Sequence, residues 1–220
     1  MRKILFPGLC CILLAACGEL PAKPAEAADC GTMEQGSNTR LAMIRKLLNS
    51  EHPYAALAHL DAAAINGPVA DDLRADILRR IGRTAEARTL YRSLLNTCLA
   101  GAGHHGLGLL AAQESLHAES VDHLQRARQA QPTDARVRSD LGYALMLSGD
   151  LEGARHEFMT ALDLSAEDRK AALNLVLLHY RQGDALRAEA LGRRFQINDE
   201  ELAGLRNEAA RLAANQGERR

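Results

Sequence analysis

The stretch GAGHHG at residues 101–106 carries glycines at the spacing G-x-G-x-x-G, which is the spacing of a dinucleotide-binding turn. In such a turn the glycines follow a β-strand, and a helix N-terminus then holds the pyrophosphate. The preceding residues 86–100, EARTLYRSLLNTCLA, have the composition and spacing of a helix instead. The stretch therefore predicts no nucleotide site. We expect Gly101, Gly103 and Gly106 to lie in a turn between helical units and in the first turn of the next helix.

Eight histidines are the next residues that could do chemistry, because imidazole binds metals and transfers protons near neutral pH. His52 and His59 are seven residues apart, which is not the spacing of a two-histidine zinc site, and no H-E-x-x-H motif occurs. His104 and His105 are adjacent, so on a helix they point in different directions. The chain also has no G-x-S-x-G motif and no Walker loop. We predict no enzyme, no cofactor and no metal site.

Five cysteines divide into two groups. Cys10, Cys11 and Cys17 lie in the apolar N-terminal region, whereas Cys30 and Cys98 lie far apart in the remainder of the chain. In an oxidising compartment the last two could form one disulfide. They could equally be two separate thiols, one in a tether and one buried at a helix end.

The N-terminus has the pattern of an export signal. A short basic region precedes an apolar run, Ile4–Ala16, which is too short to cross a bilayer as a helix. The run ends in LAAC, which resembles a bacterial lipobox and implies cleavage before Cys17 and lipidation of that residue. An ordinary secretory signal is the alternative. Gly18 follows in place of the Asp that retains lipoproteins in the inner membrane, so the resemblance implies the periplasmic face of the outer membrane.

The composition predicts an all-α fold. Apolar residues make up 47% of the chain but aromatic residues only 3%, and β-branched residues are few. The formal net charge of −1 provides no overall field for binding nucleic acid. We therefore expect protein partners, and contact with the membrane only through the lipid anchor.

A pattern recurs in the chain with a constant period of about 34 residues, a length typical of arrays of helix-turn-helix units. Leu107–Gly108 aligns with Leu141–Gly142 at this period, and in the same register Leu124 aligns with Phe158. In such an array a leucine-glycine step brings two helices close together, and each unit buries its apolar face against its neighbour.

The period divides the chain into segments. After the last unit, Asn198 and Glu201 have the spacing of a capping box at the start of a helix. The predicted segments are a signal peptide at 1–16, the lipidated cysteine and a tether at 17–36, a solenoid at 37–197 with units 37–67, 68–100, 101–134, 135–168 and 169–197, a capping helix at 198–214 and a disordered tail at 215–220.

These features resemble the tetratricopeptide repeat, whose signature is W-x2-L-G-x2-Y, then A-x3-F, then P. The unit 135–168 is the clearest copy, with Leu141, Gly142, Ala154 and Phe158 at the signature positions. The signature Trp is absent from every unit. The resemblance implies a right-handed solenoid of about five units, whose first helices line a concave face that binds extended peptides or protein segments.

Projecting the register onto the first helices gives a candidate groove for a protein partner. Its C-terminal half mixes cationic, aromatic and apolar residues, which is the mixture found at interface hot spots. The alternative is that Tyr143 and Leu177 pack between units and that the charges are merely solvated. The candidate groove residues are His105, Leu109, Arg136, Ser139, Tyr143, Met146, Lys170, Leu173, Leu177, Tyr180 and Arg181.

The lipobox, the short tether, the repeats and the final helix together resemble the TadD family of lipoproteins from the Flp (tight-adherence) pilus machinery. The similarity is strongest over residues 136–212, from LGYALMLSGDLEGARHEF onwards. It implies a scaffold or pilotin-like role toward the outer-membrane secretin and other Tad components. A type IV pilotin, a barrel-assembly lipoprotein and an adaptor for cell-wall hydrolases are the alternatives. An enzyme built on the array would need a convergent acid, base or nucleophile, and the sequence offers none.

Overall fold

The computed structural model describes residue 30 and residues 34–217, with side chains described as far as 214. This part of the chain folds into eleven α-helices and contains no strand, so the all-α prediction is confirmed. The helices are α1 Gln35–Asn49, α2 Pro53–Ala63, α3 Pro68–Arg80, α4 Thr84–Leu94, α5 Ala100–Gln113, α6 His117–Ala130, α7 Ala135–Ser148, α8 Leu151–Leu164, α9 Arg169–Arg181, α10 Ala185–Arg194 and α11 Asp199–Gly217.

The first ten helices form five hairpins. We call the odd-numbered helices α1 to α9 the first helices and the even-numbered helices α2 to α10 the second helices. Each first helix packs against the second helix of its own unit, and from α3 onwards also against the second helix of the unit before it. First helices of successive units also contact one another, whereas successive second helices lie farther apart. The array therefore curves with the first helices on its inner side.

The turn inside each hairpin has one residue with a left-handed backbone. These residues are Glu51, Gly82, Ser115, Gly149 and Gly183, with φ between 61° and 97°. Glycine adopts this conformation without a steric penalty, which explains its presence in three of the five turns. The last two turns lie one repeat period apart, and they mark the units that the sequence specifies best.

Glycines inside the helices allow close packing, as the repeat predicts. A Cβ atom on Gly142 would lie 2.6 Å from Cε1 of Phe158. On Gly108 it would lie 2.6 Å from Cγ of Leu124. Neither helix pair could approach this closely with a larger residue at the contact.

The prediction for the three glycines of GAGHHG was wrong in part. Gly101, Gly103 and Gly106 are all buried within α5, rather than in a turn between units. A Cβ on Gly106 would overlap the ring of Tyr91 in α4, and one on Gly103 would lie 2.7 Å from the Tyr91 carbonyl oxygen. Because α5 must pass this close to the preceding second helix, the stretch needs glycine for packing.

Side-chain caps begin several of the later helices. The carboxylate of Asp134 accepts hydrogen bonds from the backbone N–H groups of Arg136 and Val137 and so caps the N-terminus of α7. At α11 the N–H of Glu201 donates to the Asn198 side chain at 2.8 Å, and the Asn198 N–H donates back to Glu201 at 3.2 Å. This reciprocal pair is a capping box. The helix continues to Gly217 and so includes the first residues of the predicted 215–220 tail.

The final helix, α11, packs mainly against α9. Its apolar residues join the core around the last two units, and Arg206 lies over the ring of Tyr180 at 5.3 Å from the ring centroid. A regular sixth first helix would instead pack on the preceding second helix. The apolar contact consists of Leu202, Leu205, Ala209 and Leu212 from α11 with Leu173, Leu177 and Tyr180 from α9.

Cys30 and Cys98 form a disulfide, with their Cα atoms 5.4 Å apart. Of the two possibilities that the sequence leaves open, the structure has the bonded pair. Cys98 lies in the connection between α4 and α5, so the chain just before α1 is linked to the start of the third unit.

In the described part of the chain, no helix is both long enough and apolar enough to cross a membrane. The predicted signal peptide, Cys17 and most of the predicted tether lie outside the described residues.

Candidate functional site: the concave face of the first helices

The inner side of the array brings together charged residues that are distant in sequence. Arg136 on α7 interacts electrostatically with Asp76 on α3, two units away. Likewise, Asp72 on α3 interacts with His105 on α5. Such interactions across units require the first helices to converge on one shared surface. We call this surface the concave face.

A buried carboxylate, Asp140, lies at the centre of the concave face and links three helices. His105 on α5 hydrogen-bonds to it through Nε2 at 2.7 Å, and Lys170 on α9 forms an ion pair with its other oxygen. Burial alone would raise the pKa of Asp140, but the His105 hydrogen bond and the Lys170 charge hold that pKa below its usual value. The carboxylate is therefore ionised at neutral pH and holds the His105 and Lys170 side chains in place.

In the N-terminal part of the concave face, Asp72 and Asp76 each lie beside an arginine, with Arg45 3.7 Å from Asp72 and Arg79 3.7 Å from Asp76. Burial and repulsion from Asp76 raise the pKa of Asp72 to about 6, although Arg45 lies 3.7 Å away. The hydroxyl of Tyr91 donates a hydrogen bond to Asp76 at 2.7 Å. A cation placed close to Asp72 would favour its ionised form.

The C-terminal part is aromatic and cationic. Tyr143 is half-buried, and burial together with repulsion from Glu208 of α11 raises the pKa of its hydroxyl. The guanidinium of Arg181 donates a hydrogen bond to the backbone oxygen of Met146. Arg136 is largely exposed and pairs with Asp134 at 2.8 Å. Tyr143 and Arg136 thus remain accessible, whereas Arg181 is held by its hydrogen bond to the backbone of α7.

The structure separates the eleven predicted groove residues into two sets. The residues that stay exposed or half-buried are His105, Leu109, Arg136, Tyr143, Lys170, Leu173 and Arg181. The buried residues are Ser139, Met146, Leu177 and Tyr180.

The four buried residues do not offer their side chains to a partner. Ser139 and Met146 are fully enclosed in the packing of α7. Leu177 and Tyr180 are covered by α11, which also contacts Leu173. The repeat register assigned these residues to the inner side, but it could not show that the terminal helix would lie over α9.

Asp140, which links three helices at the centre of the face, was not among the residues predicted from the sequence. It stands four residues after Arg136 and three before Tyr143, so the helical period places all three on one side of α7. That spacing could have identified it. Its pairing with His105 and Lys170 depends on the stacking of three units and is not visible in local spacing.

The adjacent histidines of α5 point to different sides, as predicted. His105 contacts Asp140, whereas Nδ1 of His104 lies 3.0 Å from Nδ1 of His123 on α6. Burial lowers the pKa of both His104 and His123. No group of three or more His, Cys, Asp or Glu residues within the described part of the chain is arranged to hold a metal ion. The charged and aromatic groups of the concave face are suited to binding a polypeptide.

Five stacked hairpins, a capping helix and a concave face of this kind define the class of tetratricopeptide-repeat (TPR) proteins. No protein-family profile matches the chain. The chain is 38% identical over 202 residues to the TPR repeat-containing protein PA4299 of Pseudomonas aeruginosa, an alignment that covers 92% of this chain and 82% of that protein. The chain therefore belongs to the TPR repeat-containing proteins.

Solved structures with the same fold are more distant in sequence. TTC0263 of Thermus thermophilus superposes with a TM-score of 0.65 at 18% identity, covering 80% of this chain and 97% of that one. Pseudomonas aeruginosa pilF superposes with a TM-score of 0.61 at 19% identity, with coverages of 83% and 89%. MamA of Desulfovibrio magneticus gives 0.55 at 20% identity, with coverages of 75% and 96%. These similarities show the TPR fold, which is a scaffold for protein–protein interaction.

Proposed function

We propose that this TPR protein is a lipid-anchored, pilotin-like scaffold on the periplasmic face of the outer membrane. In this role it binds the secretin of an Flp (tight-adherence) pilus system and other Tad components, and so helps the secretin to localise and assemble. The proposal combines the scaffold fold with the lipobox LAAC and with the resemblance of residues 136–212 to the TadD family.

The observation that carries the proposal is the arrangement of the concave face. Asp72 and Asp76 pair with arginines toward one end, while Arg136 and Tyr143 stand exposed or half-buried toward the other end. A surface of alternating charge with an accessible aromatic side chain suits an extended segment of a partner protein, because charges set its register and the aromatic ring anchors it.

The membrane anchor is tested by changing the lipid acceptor. Cys17→Ser removes the thiol that a diacylglycerol group needs, so this variant should remain unprocessed and should not incorporate radiolabelled palmitate. The wild-type protein should fractionate with the outer membrane, because more than one acyl chain gives stable attachment. Unacylated wild-type protein found free in the periplasm would exclude the lipoprotein assignment.

The partner is tested by crosslinking in intact cells, followed by purification of the protein from solubilised envelopes. The proposal predicts that the pilus secretin is recovered with wild-type protein. Recovery of the barrel-assembly machinery or of a cell-wall hydrolase in its place would support one of the alternative adaptor roles. Recovery of a type IV pilus secretin would instead support the role of a type IV pilotin.

A further inference from the structure

The N-terminal end of the solenoid has an open apolar groove between α1 and α2. It has a volume of about 690 Å³, and Met43, Leu47 and Ala63 contribute apolar surface to it. Met43 is 65% exposed, which is unusual for a large apolar side chain at a helix–helix junction. At the opposite end of the array α11 covers the last unit, whereas no described element covers the first.

The later units bury the residue that corresponds to Met43. It stands eight residues before the left-handed turn residue of its hairpin, and the equivalent positions are Leu107, Leu141 and Leu175. These leucines are 2%, 1% and 5% exposed, respectively. They belong to first helices that pack against a preceding second helix. Unit 1 therefore presents a stacking surface whose neighbour is missing.

The fifth unit shows what completes this groove. There the equivalent groove, lined by Leu175, Leu191 and Phe195, has the second helix of the preceding unit, α8, as its other wall. That wall presents Met159 and Leu162 to the groove. Glu152 and Asp163 of α8 line the same groove as carboxylates. In the second unit the equivalent residue, Arg74, forms an ion pair with Asp61 of the preceding second helix.

The positive charge of α1 determines which kind of helix can bind favourably in the open groove. Residues 35–49 include Arg40, Arg45 and Lys46 and no Asp or Glu. Arg40 and Lys46 line the groove and make no ion pair with any residue in the described ranges. A second copy that stacked face to face would place these cations opposite their own equivalents, which is unfavourable. A helix with carboxylates beside an apolar stripe would neutralise them.

We propose that the open groove of the first unit, lined by Arg40, Met43, Lys46, Leu47 and His59, docks an amphipathic acidic helix of a protein partner. The helix takes the place that a preceding second helix has in the later units, and so extends the solenoid by one element. This surface is separate from the concave face and does not depend on the pilus assignment.

A peptide of residues 151–164, the sequence of α8, serves as the probe because it carries both the apolar stripe and the carboxylates. Fluorescence anisotropy with the labelled, helix-stapled peptide should show saturable binding to the full-length protein. Met43→Lys should weaken binding about tenfold or more, because it places a charge in the apolar contact. Lys46→Glu should weaken it by a smaller factor that shrinks at high salt. A peptide with Glu152→Lys, Glu157→Lys and Asp163→Lys should bind poorly.

Two control variants locate the binding. Leu186→Lys changes a side chain that is 83% exposed on α10, and it should leave the affinity unchanged. Tyr143→Ala alters the concave face and should also leave the affinity unchanged, so a failure of the proposed function is distinguishable from a failure of this inference.

Three results would overturn the inference. The first is an absence of binding to the wild-type protein, or equal affinities for Met43→Lys and Leu186→Lys. The second is a wild-type dimer in analytical ultracentrifugation that Met43→Lys converts to monomer, because a second copy would then occupy the groove. The third is tighter peptide binding after deletion of residues 18–29, because the N-terminal segment of the chain itself would then be the occupant.

Discussion

Asp72 and Asp140 are two carboxylates of the concave face whose pKa values shift in opposite directions. Asp140 receives a hydrogen bond from His105 and an ion pair from Lys170, so its pKa falls below the usual value. Burial and repulsion from Asp76 raise the pKa of Asp72 to about 6, and the opposing effects of Arg45 and His105 are smaller. Asp140 is therefore a fixed structural charge, whereas the charge of Asp72 is held at a cost in stability.

Replacing Asp72 with a neutral residue should stabilise the protein at neutral pH. Its pKa is 3.8 in the unfolded chain and about 6 in the folded state, so the folded state binds the proton more tightly between these values and stability falls as pH rises through this window. Asp72→Asn should raise the free energy of unfolding by about 1–3 kcal/mol at pH 7.5 and have little effect at pH 3.5. Urea denaturation at the two pH values measures the difference. A destabilised variant at pH 7.5 would show that the pairing with Arg45 outweighs the burial of Asp72.

At the residue scale the sequence could predict side-chain chemistry but not every pairing. The helical period placed Arg136 and Tyr143 near the inner side, and both are accessible there. It also placed Ser139 and Met146 there, yet they are buried, because a helix between two neighbours buries more than one stripe. The link from His105 through Asp140 to Lys170 spans three units, and only the folded array brings these residues together.

At the element scale the leucine-glycine step controls how closely the two helices of a unit approach. Gly142→Leu should force α7 away from Phe158 of α8, since even a Cβ at this position would lie 2.6 Å from the Phe158 ring. A small-to-large change of this kind costs about 1–3 kcal/mol or more in unfolding free energy. Thermal denaturation followed by circular dichroism should show a lowered melting temperature.

Gly204 is the matched control for this substitution, because a Cβ there meets no atom within 4 Å. Gly204→Leu should leave stability unchanged or raise it by about 0.5–1 kcal/mol, since leucine favours helices more than glycine. Equal destabilisation by the two substitutions would contradict the close-packing role of Gly142.

The helices of the last two units could be predicted because two local signals agree there. Asp134, Asp150 and Asp168 begin α7, α8 and α9 as side-chain caps, and Gly149 and Gly183 end the first helices of the last two units. The placement of α11 was not predictable in the same way. Its sequence shows which side is apolar, but it does not show that this side packs on α9 rather than on α10.

At the scale of the whole molecule, curvature is what turns five similar hairpins into a binding surface. Because the first helices contact one another along the array, Arg136 interacts with Asp76 from two units away. The repeat period in the sequence predicted the array. The electrostatic pattern across units emerges only from stacking, and the disulfide between Cys30 and Cys98 adds a covalent link near the start of the third unit.

The central claim is that the concave face is the recognition surface, and two arginines allow a matched test. Arg136 on α7 and Arg187 on α10 have side chains that are 72% and 76% exposed, and each pairs with the N-cap aspartate of its own helix. They differ in location, since α7 lines the concave face and α10 lies on the outer side. Substituting each arginine with Glu therefore makes the same change of charge at a similarly exposed position beside a helix N-cap.

The measurement is the affinity of the full-length protein for the pilus secretin, with urea denaturation confirming that each variant is folded. Arg136→Glu should weaken secretin binding about tenfold or more, equivalent to about 1.4 kcal/mol, and Tyr143→Ala by a similar or larger factor. Arg187→Glu should leave the affinity unchanged, as should Leu186→Ala on the same helix. If Arg187→Glu abolishes secretin binding while Arg136→Glu and Tyr143→Ala retain it, the concave face is not the recognition surface.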